Sequence, residues 1–135
     1  MKILSTFIII ATIVTFRANA QDEQRETLLD GTSMSYYYQN GSAAEVEFIN
    51  GQFNFKWTAW PAHGIEGSEK YRSRKIGDKL YLINFMVEEN STFVTLVLNF
   101  NENVLSASAL ISPGSERERI MFKAGIIQNL TLKEK

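Results

Sequence analysis

Tyr36-Tyr37-Tyr38 is the first cluster in the chain whose side chains could do specific chemistry. On a strand, Tyr36 and Tyr38 share a face with Met34, while Tyr37 shares the other with Ser35 and Gln39. Two phenols aimed into a barrel can hold a carboxylate or phenolate by short O–H···O⁻ bonds. The plainer alternative is that tyrosines suit strands, with their hydroxyls reaching solvent at a rim. Trp57, at the end of the Phe53, Phe55, Trp57 face, adds an aromatic wall to the same candidate site. Asn84 alternates with Leu82 and Met86 on an apolar face; turned inward, its amide would need partners from backbone, water or ligand. The ligand-binding set expected from sequence is therefore Tyr36, Tyr38, Trp57 and Asn84, with Tyr36 and Tyr38 as the catalytic pair if the protein is an enzyme.

Other polar groups suggest less. Lys56, Arg72 and Arg74 lie in otherwise apolar surroundings. Arg72 and Arg74 share one face, which would bind an anion if it pointed inward but commonly faces solvent. His63 is the one histidine, in a loop where it could serve as a general base or do nothing chemical. One histidine, no cysteine and no carboxylates spaced like a metal loop argue against a metal centre and against thiol catalysis. No Gly-rich loop opens a helix, so nucleotide binding is not expected, and no cofactor is implied. Glu116-Arg117-Glu118-Arg119 reads as a solvated, self-pairing turn.

The elements that must position these residues are strands. Val46 and Phe48 alternate with Glu45 and Glu47, and Phe53, Phe55 and Trp57 alternate with Gln52, Asn54 and Lys56. A period of two with one apolar face is a half-buried antiparallel strand. Asn40-Gly41 and Asn50-Gly51 carry the pair favoured in type I′ hairpin turns. The spacing predicts strands over 33–39, 43–49, 52–60, 69–75, 79–87, 92–100, 104–111, 118–124 and 126–132. Nearly every connection is short. About eight or nine strands in an up-and-down meander avoid unpaired edges by closing into a barrel. The expected fold is all-β, a single lipocalin-like antiparallel β-barrel, with a β-sandwich as the alternative.

The first twenty residues read differently. Lys2, the apolar run 3–16 and Ala18-Asn19-Ala20 have the layout of a signal peptide with its cleavage site. The run is too short for a bilayer span, so the expectation is export, to a periplasm or the extracellular space, with no stable membrane anchor afterwards. Residues 21–32 are expected to be a leader or short helix, and 33–135 the barrel. A net charge of −1 offers no field for nucleic acid. Sequons at Asn40, Asn90 and Asn129 would accept glycans in a eukaryotic host.

Tyr36-x-Tyr38-x-Asn40-Gly41 followed by Glu45-Val46-Glu47-Phe48 resembles the opening of the MoaF-like domains and of the related phenolic acid decarboxylases. The Gly64, Gly67, Tyr71 spacing, the Asp78–Ile83 strand and the Thr95–Phe100 strand continue the resemblance in order over about 31–108. It implies a lipocalin-like barrel in which the Tyr-x-Tyr pair grips a substrate carboxylate, completed by an arginine and a glutamate. Tyr36 and Tyr38 match the pair. The arginine position falls at Gly64, and the glutamate position at Val87, with Glu88 one residue further on. Without those groups, decarboxylation is not expected.

The reading that follows is a binding module for a small apolar or aromatic ligand, monomeric or homodimeric. A lyase or isomerase acting on a phenolic or enol-type substrate is the catalytic alternative, with Arg72, Arg74 or Glu88 standing in for the missing groups. A protein-interaction module is the third, and a large exposed apolar patch would favour it.

Overall fold

Inward and outward residues alternate along every strand, and that alternation builds the architecture. A computed structural model describes residues 26–59 and 61–134. Its strands are β1 (Ser33–Tyr38), β2 (Ala43–Ile49), β3 (Gln52–Trp57), β4 (Glu66–Gly77), β5 (Leu80–Val87), β6 (Thr92–Asn99), β7 (Val104–Ile111) and β8 (Arg119–Thr131). Each pairs antiparallel with the next, and β8 returns to β1, so the sheet is a closed eight-stranded barrel. The expected export segment and Trp60, placed by sequence at the end of the third strand, lie outside the described residues.

The final strand was expected as two. Gly125 looked like a break, but β8 runs straight through it, and both halves pair with β7 or β1. Glycine is needed there for closeness, since a Cβ would stand 2.8 Å from the Tyr37 carbonyl oxygen and 3.2 Å from the Tyr38 ring. Further along the seam, the pairing of Ser33 with Thr131 and Ser35 with Gln128 leaves one extra residue in β8. Asn129 takes up this bulge at φ 49°, and its amide donates to the Ser35 hydroxyl at 2.9 Å. Of the two Asn-Gly turns, 50–51 has positive φ at both residues, as type I′ requires. The turn at 40–41 does not. Only Gly41 has positive φ, and the Asn40 carboxamide oxygen instead accepts from the Ser42 N–H and hydroxyl.

One end of the barrel is plugged. Residues 28–31 form a turn, Leu29 and Thr32 are fully buried, and the first part of the expected leader or short helix, 21–25, lies outside the described residues. The inward Ser73 of β4 holds this segment, donating to the Glu26 carbonyl at 2.6 Å and accepting from the Leu28 N–H at 2.8 Å. The buried Tyr71 phenol donates to the Asp30 carboxylate at 2.8 Å. Above the plug, aromatic rings fill the interior: Phe48 lies 5.2 Å from Phe53 and 4.9 Å from Tyr71, and Phe53 stacks on Phe85 at 4.5 Å. The opposite end carries the connections 39–42, 58–65, 88–91 and 112–118, and is the mouth.

Candidate functional site

Three of the four expected ligand residues meet near the mouth. Tyr36 and Tyr38 both point inward from β1 and are buried. Strand register brings Trp57 to them: Tyr36 pairs with Ala44, and Ala44 pairs with Trp57. The small Ala44 between them leaves room for the flanking rings to meet above it. Tyr36 lies edge-on to Tyr38 with centroids 5.3 Å apart, and the Trp57 ring is 6.3 Å from Tyr36 and 6.2 Å from Tyr38. Edge-to-face and offset arrangements at this spacing are the favourable ones for aromatic quadrupoles.

Both phenols are neutral donors near neutral pH. Burial, reinforced by the neighbouring Tyr38, raises Tyr36 well above the ordinary phenol value. Burial pushes Tyr38 up to about 12, with the side-chain hydrogen bond to Tyr36 acting in the opposite direction. A neutral phenol at the end of an apolar barrel is suited to donating to an anionic oxygen and unsuited to serving as a base.

The fourth expected residue is elsewhere. Asn84 sits on the outer face of β5, and its amide donates to Thr95 Oγ1 on β6 at 2.8 Å. Both faces of β5 are largely apolar, and the barrel takes in the bulkier set, Tyr81, Ile83, Phe85 and Val87, which turns Leu82, Asn84 and Met86 outward. Arg72 and Arg74 also face outward and are exposed, as are Glu88 in the single 3-10 turn after β5 and His63 in the loop after β3. The replacements named for the missing arginine and glutamate are therefore not gathered with the tyrosines.

Three other polar residues share the inner face instead. Lys123 pairs with the core residue Ala107, so it points inward from β8, and its ammonium stands 5.2 Å from the centre of the Tyr38 ring. That is within cation–π range. Glu69 pairs with the buried Phe53 and so takes the inward side of β4. Burial raises its carboxyl above the ordinary range, with the charge of Glu88 adding to the shift and a backbone hydrogen bond from Glu88 opposing it. Thr92, at the start of β6, is buried beside Val87, and its hydroxyl oxygen has no hydrogen-bond partner among the described residues. Round the barrel the polar residues form a crescent, Lys123, Tyr38, Tyr36 and Glu69 with Trp57 among them, while Val87, Val94, Ala107 and Ala109 supply an apolar wall.

Two hollows lie on the outer wall. One, of about 720 Å³, spans the outer faces of β1 to β4 and includes Glu45, Glu47, Lys56 and Glu66. The other, of about 530 Å³, lies where β4 and β5 diverge and is bordered by Glu69, Lys70, Arg72, Asn84, Met86 and Phe93, so the Glu69 carboxyl also reaches this opening.

A closed antiparallel barrel, plugged at one end and lined at the other with phenols and an indole, belongs to the lipocalin-like class. Within that class the chain is a member of the MoaF N-terminal domain family, whose family model matches residues 14–112. The match ends after β7, so β8 and Lys123 lie beyond it. Among solved structures the chain is similar to one described as "Crystal Structure of a putative beta-lactamase from Burkholderia vietnamiensis". The two share 14% identity at a TM-score of 0.66, over 73% of this chain and 92% of that one. At that identity the likeness is one of fold. No curated protein sequence matches the chain.

Proposed function

We propose that the barrel mouth binds one small aromatic ligand carrying a carboxylate, and that the protein is an exported binding module. The observation that carries this reading is the convergence of Tyr36 and Tyr38 from β1 with Trp57 from β3, across the intervening Ala44 of β2, with the Lys123 ammonium over Tyr38. The phenols would donate to the carboxylate, Lys123 would supply the countercharge, and Trp57 would stack on the ring. The unpartnered Thr92 hydroxyl offers a further donor on the facing wall. Sites of this kind are mostly apolar, with a few placed polar groups that fix orientation. Lys123 supplies a cation from a different strand than the arginine of the decarboxylases, and Glu69 an acid from a different strand than their glutamate. A lyase would need that acid within proton-transfer reach of the bound carbon.

The test is calorimetric titration with hydroxycinnamates and benzoates, each beside its methyl ester, for the wild type, Tyr38→Phe and Lys123→Met. The acids should bind and the esters should bind far more weakly. Losing one charge-assisted hydrogen bond should weaken the acid by roughly 10- to 100-fold. In Lys123→Met the acid's advantage over the ester should shrink, the phenols alone still favouring the acid. Equal binding of acid and ester to the wild type, or no binding of either, would overturn the reading. Consumption of the acid during titration would move the lyase alternative ahead.

A further inference from the structure

Half of the barrel's outer wall carries no charge. The outward positions of β1 to β4 include Glu45, Glu47, Lys56, Lys70, Arg72 and Arg74. None of the outward positions of β5 to β8, from Leu80 to Gln128, is charged. Within this neutral half, strand register lines up an apolar row. Met86 pairs with Phe93, Phe93 with Leu110, and Leu110 with Ile120. All four are exposed by more than a third of their surface, Ile120 by 77%, and Phe122 beside it by 81%.

The row is not level. Ile120 and Phe122 stand out from β8 at one end. At the other end, across two intervening strands, Met86 and Phe93 border the hollow of about 530 Å³, whose far side carries Glu69, Lys70, Arg72 and Glu88 and marks the polar limit of the row. With neighbouring strands about 4.8 Å apart, the row runs roughly 14 Å along the wall and curves with the closed barrel, so its middle, at Phe93 and Leu110, is its most forward part. A twofold axis through the middle of such a row lays the apolar side chains of each copy across the row of the other, and the contact closes on itself.

The area is also of the right size. Those exposures, on side chains of up to about 150–250 Å² each, leave on the order of 500 Å² of contiguous apolar surface. Patches of several hundred Å² mark interaction sites, and one partner in a standard interface contributes about 800 Å². The row with its polar margin of Asn84, Thr95, Ser106 and Ser108 meets that need. Those hydroxyls and the amide suit a protein partner, whereas lipid would take them into hydrocarbon without new partners. Because the barrel is closed it has no free strand edge to offer, so association must use a face.

We propose that this row is the contact between two copies of the chain, related by a twofold axis passing between Phe93 and Leu110. The Phe122 ring of each copy packs across the apolar row of the other. This assignment is independent of the ligand reading.

Sedimentation equilibrium across the micromolar range tests it, with far-UV circular dichroism and a cooperative melt confirming that each variant is folded. The wild type should be a dimer. Phe122→Glu should weaken association by at least about 30-fold, as loss of a central aromatic anchor does, and Phe122→Leu should keep most of it. The absence of cysteine makes single introduced thiols clean reporters. Leu110→Cys, beside the axis, should cross-link to itself under mild oxidation, and Ile49→Cys, on the charged wall, should not. A wild type monomeric throughout, a Phe122→Glu variant as dimeric as the wild type, or equal cross-linking at both positions would overturn the proposal. A folded monomer that binds neutral phosphatidylcholine vesicles would reassign the row to a lipid surface.

Discussion

The plug at the closed end offers the most quantitative test. Asp30 accepts from the Tyr71 phenol at 2.8 Å and from the Gly51 N–H at 3.1 and 3.2 Å to its two oxygens. Tyr71 is fully buried, and burial followed by the neighbouring Asp30 raises its phenol far above the ordinary value, so it remains a donor at any working pH. Asp30→Ala strands that phenol in the core and frees the Gly51 N–H. A hydrogen bond to a charged acceptor contributes about 1.5–3 kcal/mol, so the loss should be about 3 kcal/mol. For a domain of this size that is a fall in Tm of roughly 10–20 °C. Tyr71→Phe removes one donor but leaves Asp30 with Gly51, and should cost about 1.5 kcal/mol. Because the phenol then has no partner to lose, the double variant should be little worse than Asp30→Ala alone. The coupling should be about 1–2 kcal/mol, measured by urea unfolding of all four proteins. Additivity within about 0.5 kcal/mol would refute the claim that this contact fastens the plug.

Other outcomes follow from the mouth and the seam. Gly125→Ala forces a Cβ against the Tyr37 carbonyl, which is backbone and cannot swing aside; unfolding should show a loss of about 1–3 kcal/mol. Thr92→Val removes a buried hydroxyl that has no partner among the described residues, so the unliganded protein should gain about 1 kcal/mol in thermal unfolding. Glu69, raised by burial and then by Glu88, keeps a proton in the folded barrel that the unfolded chain has already released. Its contribution is therefore present below the ordinary carboxylate range and fades as pH rises through the raised value. Glu69→Gln should flatten that slope between mildly acidic and neutral pH, changing stability at pH 7 by less than about 0.5 kcal/mol.

The parts of the fold legible in the sequence were those written in local pattern. Period-two alternation and short turns located the strands, and the absence of long connections pointed to a closed meander. Tyr36, Tyr38 and Trp57 were readable because they alternate on strands joined through one hairpin pair, so their common face follows from spacing. Asn84 was not, because β5 is apolar on both faces and alternation there does not choose a side. Lys123 was hidden by the charged run 116–119 just before it. Its direction depends on the register across the 112–118 turn, although its alternation with Met121, Gly125 and Ile127 was a usable signal. Glu69 could have been found, since it shares the Tyr71 and Ser73 face. The plug could not, because its bonds to Ser73, Tyr71 and Gly51 join segments far apart in the chain, and no local pattern encodes them.

The seam between the first and last strands has a consequence in time. At it, the Ser35 hydroxyl donates to the Gln128 carbonyl across 93 residues of chain. Tyr38 and Lys123 stand on its two sides. During synthesis the tyrosines emerge early but meet their cation only when the last strand is released and zips onto the first. Such long-range closure is the slow kind of folding event. A ligand bridging Tyr38 and Lys123 would act as a clasp on this join, slowing amide hydrogen exchange along β1 and β8 before it affected the strands on the far side. Binding by the protein and completion of its barrel would then be two readouts of one event.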